Sequence, residues 1–126
     1  MPTTIIAVID DLFFASKIRG TGEQVGALVL FVKSADEAIQ KARNESPGLI
    51  IVDMNARCCH PMDLARTFKG DDRLSGIPLL GFFSHVQTEL QRAAEAAGFD
   101  RVMPRSAFTK QLPEILAGTP ITQNTA

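Results

Sequence analysis

The amino-acid sequence predicts an α/β domain in which a parallel sheet is wrapped by helices on both faces. Short apolar runs alternate with stretches of helical periodicity along the chain, and this alternation is typical of parallel sheets with helical crossovers. The clearest run, residues 49–52, consists of four aliphatic residues followed by an acid. Such a run fits a strand buried on both faces. A second run, residues 5–9, also ends in acids.

Five strands and five helices are expected in strict alternation. The strands are placed at residues 5–9, 27–32, 49–53, 79–83 and 101–103. The helices are expected to begin near residue 12, after Ser34 and at Pro61, and then to run over residues 86–97 and 108–116. We expect one domain over residues 1–118 and a flexible C-terminal tail over residues 119–126, whose polar composition favours fraying.

Several helix ends carry recognisable signals. Asp10 or Asp11 can cap the first helix, because a carboxylate there accepts hydrogen bonds from free backbone N–H groups. The glycines within residues 20–22 are expected to end it. Ser34 and Glu37 have the spacing of a capping box at the start of the second helix. The sequence therefore predicts where these helices begin without reference to tertiary contacts.

Length and composition restrict the classes of protein to which the chain can belong. With 126 residues, 45% hydrophobic and 21% charged, it is long enough to bury a core as a single domain. The net charge of −1 argues against a direct nucleic-acid partner. No apolar run reaches membrane-spanning length, and the first residues lack the basic start of a signal peptide. We therefore expect a cytoplasmic protein without a membrane partner.

The order of the strands determines which side chains meet. Right-handed crossovers and one reversal of direction produce the flavodoxin-like order 2-1-3-4-5, a doubly wound sheet of five parallel strands. In such sheets the ligand crevice lies outside the carboxyl ends of the strands. Asp10, Asp11 and Asp53 all follow strand ends in the sequence. If the first and third strands are neighbours, these three carboxylates converge on one pocket.

Three converging carboxylates favour a hard divalent cation. Mg²⁺ prefers oxygen ligands and keeps several waters, so two or three carboxylates and a carbonyl suffice to hold it. The cation also relieves the mutual repulsion of the acids. The structural alternative is that Asp10 and Asp11 cap the first helix while Asp53 ends a strand. Taken singly, each acid fits that alternative; together, the three favour a site.

The motifs Val-Ile-Asp-Asp at residues 8–11 and Leu-Ile-Ile-Val-Asp-Met-Asn at residues 49–55 resemble the receiver domains of response regulators, the CheY-like superfamily. The resemblance extends over nearly the whole chain. It implies that Asp10 and Asp11 bind Mg²⁺ and that Asp53, also a metal ligand, accepts phosphate from a histidine kinase. The backbone carbonyl of Asn55 is implied to complete the metal shell.

The chain also departs from that family. Members usually carry Thr or Ser at the end of the fourth strand, where this chain has Phe83, so the hydroxyl donor would have to be neighbouring Ser84. The family's lysine after the fifth strand aligns with Arg105, which can neutralise phosphate but is longer. An aromatic switch residue aligns with Val102. The resemblance therefore implies an atypical, divergent receiver.

These observations lead to three functional hypotheses. The first is a stand-alone receiver in two-component phosphorelay signalling, with Asp53 as phospho-acceptor and output through protein contacts. The second is an adaptor that acts independently of phosphorylation, and the third is a Mg²⁺-dependent phosphatase, disfavoured because no second substrate domain is present in the sequence. We expect a signalling module and not an enzyme.

The resemblance also implies partners. A sensor histidine kinase or a phosphotransfer protein would supply the phosphoryl group. A downstream protein would dock on the surface formed by the fourth helix, fifth strand and fifth helix, where receivers also dimerise, so a homodimer is a further expectation.

The loop after Asp53 admits other readings. Cys58, Cys59 and His60 lie on the predicted crevice edge, and His85 follows the fourth strand there. Cys and His are ligands for Zn²⁺, but adjacent cysteines rarely both reach one ion. A redox-active thiol is a second alternative, favoured by a basic neighbour and disfavoured by the nearby carboxylates. Inert, partly buried thiols remain the simplest interpretation.

Overall fold

The computed structural model describes residues 4–56, 60–84 and 88–118, in which five strands alternate with five helices. The strands are β1 (Thr4–Val8), β2 (Leu28–Val32), β3 (Leu49–Asp53), β4 (Leu79–Phe83) and β5 (Arg101–Pro104). The helices are α1 (Leu12–Val25), α2 (Ala35–Glu45), α3 (Pro61–Lys69), α4 (Thr88–Ala97) and α5 (Arg105–Leu116).

All neighbouring strands pair in parallel, in the order β2-β1-β3-β4-β5. The predicted flavodoxin-like α/β fold is therefore confirmed. β3 lies at the centre of the sheet, between β1 and β4, and all five strands have their carboxyl ends at one edge. We call this the carboxyl edge of the sheet. The predicted convergence of the acids requires this arrangement.

The core divides into two clusters, one on each face of the sheet. Alternate strand residues point to opposite faces, so β3 contributes Ile50 and Val52 to one cluster and Leu49 and Ile51 to the other. The first cluster is covered by α2, α3 and α4, and the second by α1 and α5. Since both faces of the sheet are covered, the central strands are apolar along nearly their whole length.

The predicted end of α1 is wrong, because the helix continues through both of its glycines to Val25. It ends at Gly26, whose φ of 77° is left-handed, a conformation that glycine adopts without a steric penalty. Gly22 is buried against β2, where an added Cβ would approach Val29 to 3.1 Å. Close helix–strand packing thus favours glycine inside this helix and offsets its low helix propensity.

The start of α2 follows its sequence signal closely. The Ser34 hydroxyl accepts a hydrogen bond from the Glu37 backbone N–H at 3.1 Å, as predicted. The Glu37 carboxylate reaches back to the N–H of Lys33, one residue before the cap, at 3.2 Å. The helix ends before Pro47, at Ser46, which adopts a left-handed φ of 46°. Local capping chemistry therefore determines both boundaries of α2.

The boundary between β5 and α5 differs from the prediction and bears on the site. β5 extends to Pro104, and α5 begins at Arg105 instead of residue 108. Pro104 has an extended backbone with φ −69°, and it serves as the N-cap residue. The strand therefore passes directly into the helix, and Arg105 takes the first helical position at the carboxyl edge.

The predicted start of α3 can be compared with the structure, whereas the predicted start of α4 cannot. α3 begins at Pro61, as predicted, after His60 in a left-handed conformation with φ 43°. The predicted start of α4 at residue 86 and the predicted tail at residues 119–126 lie outside the described residues. Within the described ranges, none of the helices combines the length and apolar character needed to cross a membrane.

Gly81 in β4 provides a test of how tightly the sheet is packed. An added Cβ would lie 2.8 Å from Met54 Sδ and 3.2 Å from Phe99 Cδ1. We expect Gly81→Ala to lower the free energy of unfolding by about 1–3 kcal/mol, as overpacked cores do. Gly20→Ala is the control, since nothing lies within 4 Å of its added Cβ; it should raise the free energy of unfolding by about 0.5–1 kcal/mol. Urea unfolding measures both, and equal midpoints for the two variants would contradict the prediction.

Candidate functional site

Asp53 is the centre of the carboxyl edge. It is the last residue of β3, and only 3% of its surface is exposed. Among the described residues it is the only buried charged one. The backbone N–H of Asn55 donates a 2.9 Å hydrogen bond to its Oδ1 atom. One oxygen of the carboxylate is therefore held by the following loop, which leaves the other, Oδ2, for the rest of the edge.

The environment of Asp53 disfavours its ionised form. Burial is the largest cause and raises the pKa of the carboxyl above its usual value of 3.8. The Asn55 N–H and the Arg105 guanidinium lower the pKa, while the charges of Asp10 and Asp11 raise it. Because desolvation and like charges prevail over these contacts, the carboxylate lies in an energetically costly position. Perturbed carboxyls of this kind are concentrated at functional sites.

Arg105 lies between two of the predicted site acids. Its Nη2 atom is 3.7 Å from Asp53 Oδ2, and its Nη1 atom is 4.0 Å from Asp11 Oδ2. Both distances are longer than a hydrogen bond, so the guanidinium neutralises the carboxylates by proximity. The structure thus brings together three residues that are distant in the sequence, as the alignment with the receiver family implied.

Aromatic rings form the floor under Arg105. The guanidinium carbon lies 4.7 Å from the centre of the Phe14 ring and 5.7 Å from that of Phe82. Phe82 stacks on Phe108 with ring centres 4.5 Å apart, and Phe14 contacts Phe82 at 5.1 Å. Sequence reasoning missed this platform. Its one local signal is that Phe14 follows Asp11 by three residues, which places both on the same side of α1.

Asp11 serves two purposes at once. Its Oδ1 atom accepts hydrogen bonds from the backbone N–H groups of Phe13 and Phe14, at 3.0 and 3.2 Å, and so caps α1. Its Oδ2 atom faces Arg105. Asp10 is exposed at the same edge, close enough for its charge to raise the Asp53 pKa. The capping interpretation and the site interpretation therefore both apply to Asp11.

The side chain of Asn55 joins two loops. Its Oδ1 atom accepts hydrogen bonds from the backbone N–H of Ser84 at 2.8 Å and from the Ser84 hydroxyl at 3.0 Å. Sequence reasoning assigned Asn55 only a backbone role, so this contact is new. It occupies the Ser84 hydroxyl, the candidate donor to a phosphoryl group. For Ser84 to act as that donor, this hydrogen bond has to break.

Phe83 lies on the other face of the sheet from Phe82. Its side chain is buried in the core cluster covered by α2, α3 and α4, and the same cluster contains Val102. Neither side chain carries a hydroxyl. At these two positions receivers have the hydroxyl donor and the aromatic switch residue, and here both are part of the apolar core. The predicted loss of the usual switch residues is thus accompanied by packing that fills their place.

The chemistry of the acids suits Mg²⁺, since all the predicted donors are oxygens. As arranged, no three His, Cys, Asp or Glu side chains of the described residues are close enough to hold a metal ion. Ligation by Asp10, Asp11, Asp53 and the Asn55 carbonyl stays a prediction. The Zn²⁺ and thiol alternatives depend on Cys58, Cys59 and His85, which lie outside the described residues, whereas His60 is exposed just before α3.

Comparison with solved structures identifies the fold. The chemotaxis response regulator CheY4 of Vibrio cholerae superposes with a TM-score of 0.82 at 18% identity, over 95% of this chain and 100% of that one. The phosphorylated cyanobacterial phytochrome response regulator RcpA matches with a TM-score of 0.75 at 20% identity, over 94% and 91%. This chain has the receiver-domain fold. The receiver domain of the Pseudomonas aeruginosa sensor histidine kinase PA1611, solved with Mg²⁺ in its active-site cleft, matches with a TM-score of 0.79 at 16% identity, over 92% and 95%.

Sequence comparison adds no closer assignment. No protein-family model matches the chain, and no curated protein matches it. The receiver fold is therefore conserved here at identities of 20% or less. The predicted roles of the individual site residues depend on their own geometry and chemistry.

The raised pKa of Asp53 makes a prediction about stability. The Asp53 carboxyl binds its proton more tightly in the folded chain than in the unfolded chain. Its contribution to stability therefore falls as the pH rises above 3.8, the ordinary pKa of an aspartic acid. We expect Asp53→Asn, which retains an oxygen for the Asn55 N–H, to be more stable than wild type at pH 7.5. The difference should shrink towards pH 4.5. Urea unfolding at both pH values measures it.

Asp72 provides the control, because it is an exposed acid outside the site. Asp72→Asn should change the free energy of unfolding by no more than about 0.5 kcal/mol at either pH. A destabilised Asp53→Asn variant at pH 7.5 would show that the Arg105 ion pair outweighs the cost of burying the carboxylate.

Proposed function

We propose that the chain is a divergent response-regulator receiver in two-component phosphorelay signalling, with Asp53 as its phospho-acceptor. The observation that carries this proposal is the placement of Asp53: a buried carboxylate at the carboxyl end of the central strand, 3.7 Å from the Arg105 guanidinium. A nucleophile beside a fixed cation is what transfer of an anionic phosphoryl group requires.

The geometry supports a specific division of labour. The Asn55 N–H holds Oδ1 of Asp53, so Oδ2 is the atom that attacks phosphorus. A bond forms between Oδ2 and phosphorus while the bond to the nitrogen of a phosphohistidine donor breaks, and the leaving imidazole takes up a proton from solvent. Arg105 stands next to Oδ2 and can neutralise the equatorial oxygens. Beyond the Asp53 nucleophile itself, positioning and charge neutralisation are sufficient for such a transfer.

Mg²⁺ is the cofactor we propose, held by the carboxylates of Asp10, Asp11 and Asp53 and by the Asn55 carbonyl. It would neutralise charge on the transferred group. The PA1611 receiver domain, which shares the fold, has Mg²⁺ coordinated in its active-site cleft. The oxygen donors of this chain are of the type that this cation prefers.

The proposed partners are a histidine kinase or phosphotransfer protein as donor and a downstream protein as receptor of the signal. Two exposed apolar side chains, Leu12 and Phe13, directly follow Asp11, and 91% of the Phe13 surface is exposed. An apolar contact beside the acids suits a donor protein that has to approach Asp53. On the α4-β5-α5 surface, Leu90 of α4 is exposed, and we propose that surface for output.

A second candidate is an adaptor whose contacts do not depend on phosphorylation. It is favoured by the burial of Phe83 and Val102 in one core cluster, because neither of these positions offers a hydroxyl that could follow a phosphoryl group. The two candidates share the fold and the proposed output surface. They differ in whether chemistry at Asp53 is required.

Beryllofluoride, which mimics an aspartyl phosphate, tests the first candidate. In the presence of Mg²⁺ we expect saturable amide NMR shifts at Asp53, Asn55, Ser84 and Arg105. Arg105 and the Asn55 N–H contact the Asp53 carboxylate, and Ser84 is hydrogen-bonded to Asn55. Asp53→Asn should abolish the shifts, whereas the exposed control Asp72→Asn should retain them. If wild type shows no shift, the adaptor is the better account. Turnover of a generic phosphate ester, which we do not expect, would instead indicate a phosphatase.

The same experiment tests how far a signal travels. We expect the beryllofluoride shifts in α4 and β5 to be small compared with those at the carboxyl edge, because Phe83 cannot form a hydrogen bond to the added group. Ser84→Ala should leave this pattern unchanged if the Ser84 hydroxyl remains with Asn55. Large shifts in α4 that disappear in Ser84→Ala would show that Ser84 replaces the missing hydroxyl.

A further inference from the structure

Arg105 lies within ion-pair distance of its two acidic partners but forms a hydrogen bond to neither. A hydrogen-bonded pair between a guanidinium and a carboxylate has N–O distances of roughly 2.7–2.9 Å, but the distances to Asp53 and Asp11 are 3.7 and 4.0 Å. Arg105 Nε is buried without a hydrogen-bond partner in the described part of the chain. The guanidinium carbon lies over the face of the Phe14 ring, 4.7 Å from the ring centre, in cation–π geometry.

The rings beneath Arg105 form a rigid support. The rings of Phe14, Phe82 and Phe108 contact one another pairwise, with ring centres 4.5 to 5.8 Å apart, and all three are buried. A guanidinium over such a face is attracted by the electron density of the ring, more strongly where water is excluded. Phe14 belongs to the first helix, α1, and Phe108 to the last helix, α5. The support therefore exists only in the folded structure.

A divalent cation and Arg105 would compete at the Asp11 carboxylate and would lie close together at Asp53. The guanidinium lies against Oδ2 of both Asp11 and Asp53, and Oδ1 of each accepts backbone hydrogen bonds. Because Oδ1 of Asp11 already accepts two backbone hydrogen bonds, a metal would bind Asp11 through the Oδ2 atom that Arg105 now faces. At Asp53, Oδ1 accepts a single hydrogen bond and retains a lone pair for the metal, which leaves Oδ2 as the nucleophile. The metal and the guanidinium would then repel each other at close range.

We propose that Arg105 is a resident cation of the carboxyl edge, positioned by the Phe14 ring, and that a divalent cation binds only in competition with it. Phe14 is then a positioning residue: it acts on the metal site through Arg105 without touching a ligand. The inference rests on the proposed function insofar as it takes Asp11 and Asp53 as metal ligands. It adds that an aromatic side chain of α1 sets the affinity of the site for its cation.

A Mg²⁺ titration without beryllofluoride, followed by amide NMR, tests the inference. Arg105→Gln removes the charge and should tighten Mg²⁺ binding on the order of tenfold. Phe14→Leu leaves every charge in place and should tighten it about threefold, since only the cation–ring attraction is lost. Arg105→Lys retains the charge without the flat guanidinium, so it should also bind Mg²⁺ more tightly than wild type.

Arg19 and Phe31 provide matched controls. The Arg19 guanidinium lies over the Phe31 ring at 4.9 Å, roughly two turns along α1 from Asp11. Arg19→Gln removes the same charge, and Phe31→Leu removes the same kind of ring. Both should leave the Mg²⁺ affinity within about twofold of wild type, because they lie beyond the range of unscreened charge at moderate salt.

The outcomes separate clearly. Unchanged or weaker Mg²⁺ binding in Arg105→Gln overturns the competition, and so does the absence of Mg²⁺ binding in every variant. If Arg105→Gln binds more tightly while Phe14→Leu and Arg105→Lys match wild type, the role of the ring is overturned. Should Phe14→Leu fail to fold, Arg105→Lys carries that part of the test. The proposed function fails separately, when beryllofluoride gives no Asp53-dependent shift in a chain that binds Mg²⁺ as described.

Discussion

The burial of one negative charge at the end of the central strand constrains the rest of the carboxyl edge. Asp53 is nearly inaccessible to water, and an isolated carboxylate in that position would be costly. The surrounding residues compensate in part: the Asn55 N–H holds one oxygen, and Arg105 approaches the other. Because Asp10 and Asp11 add further negative charge nearby, the site is only partly neutral. That residual negative potential makes it receptive to a cation.

The alternation of side chains along β4 divides the site from the core. Phe82 and Phe83 are consecutive, so they point to opposite faces of the sheet. Phe82 belongs to the ring platform under Arg105, whereas Phe83 belongs to the core cluster that α2, α3 and α4 cover. A one-residue shift of this strand would exchange the two roles. Of these two identical residues, Phe82 thus supports the Arg105 charge on one face of the sheet, and Phe83 fills the core on the other.

The same division bears on the proposed signalling function. A ligand can shift a conformational equilibrium only by as much as its interactions differ between the two states. At the carboxyl edge the polar contacts include those of Asp53, Asn55, Ser84 and Arg105. On the face of the sheet that α2, α3 and α4 cover, Phe83 and Val102 belong to an apolar core cluster. Chemistry at Asp53 therefore has few polar connections through which to favour one arrangement of α4 over another.

Local signals in the sequence were sufficient for the fold and for part of the site. Apolar runs and helical periodicity predicted the elements, and right-handed crossovers with one reversal predicted the strand order. The caps at Asp11 and Ser34 and the first-turn proline, Pro61, start their helices where expected. The acids were placed at the right edge because parallel strands end together. The end of α1 was wrong because packing against β2 favours glycine inside the helix.

Only the tertiary structure determined where the Arg105 guanidinium lies relative to its acids and rings. Its two acids and the Phe14 and Phe82 rings come from three elements, α1 with its N-cap, β3 and β4, so local periodicity relates only Asp11 to Phe14. The hydrogen bond from the Ser84 hydroxyl to the Asn55 side chain likewise joins residues 29 positions apart. Sequence by itself determined which groups reach the edge, since that follows from backbone period and strand order. Tertiary packing determined which of them touch, since contact depends on distances that no local pattern records.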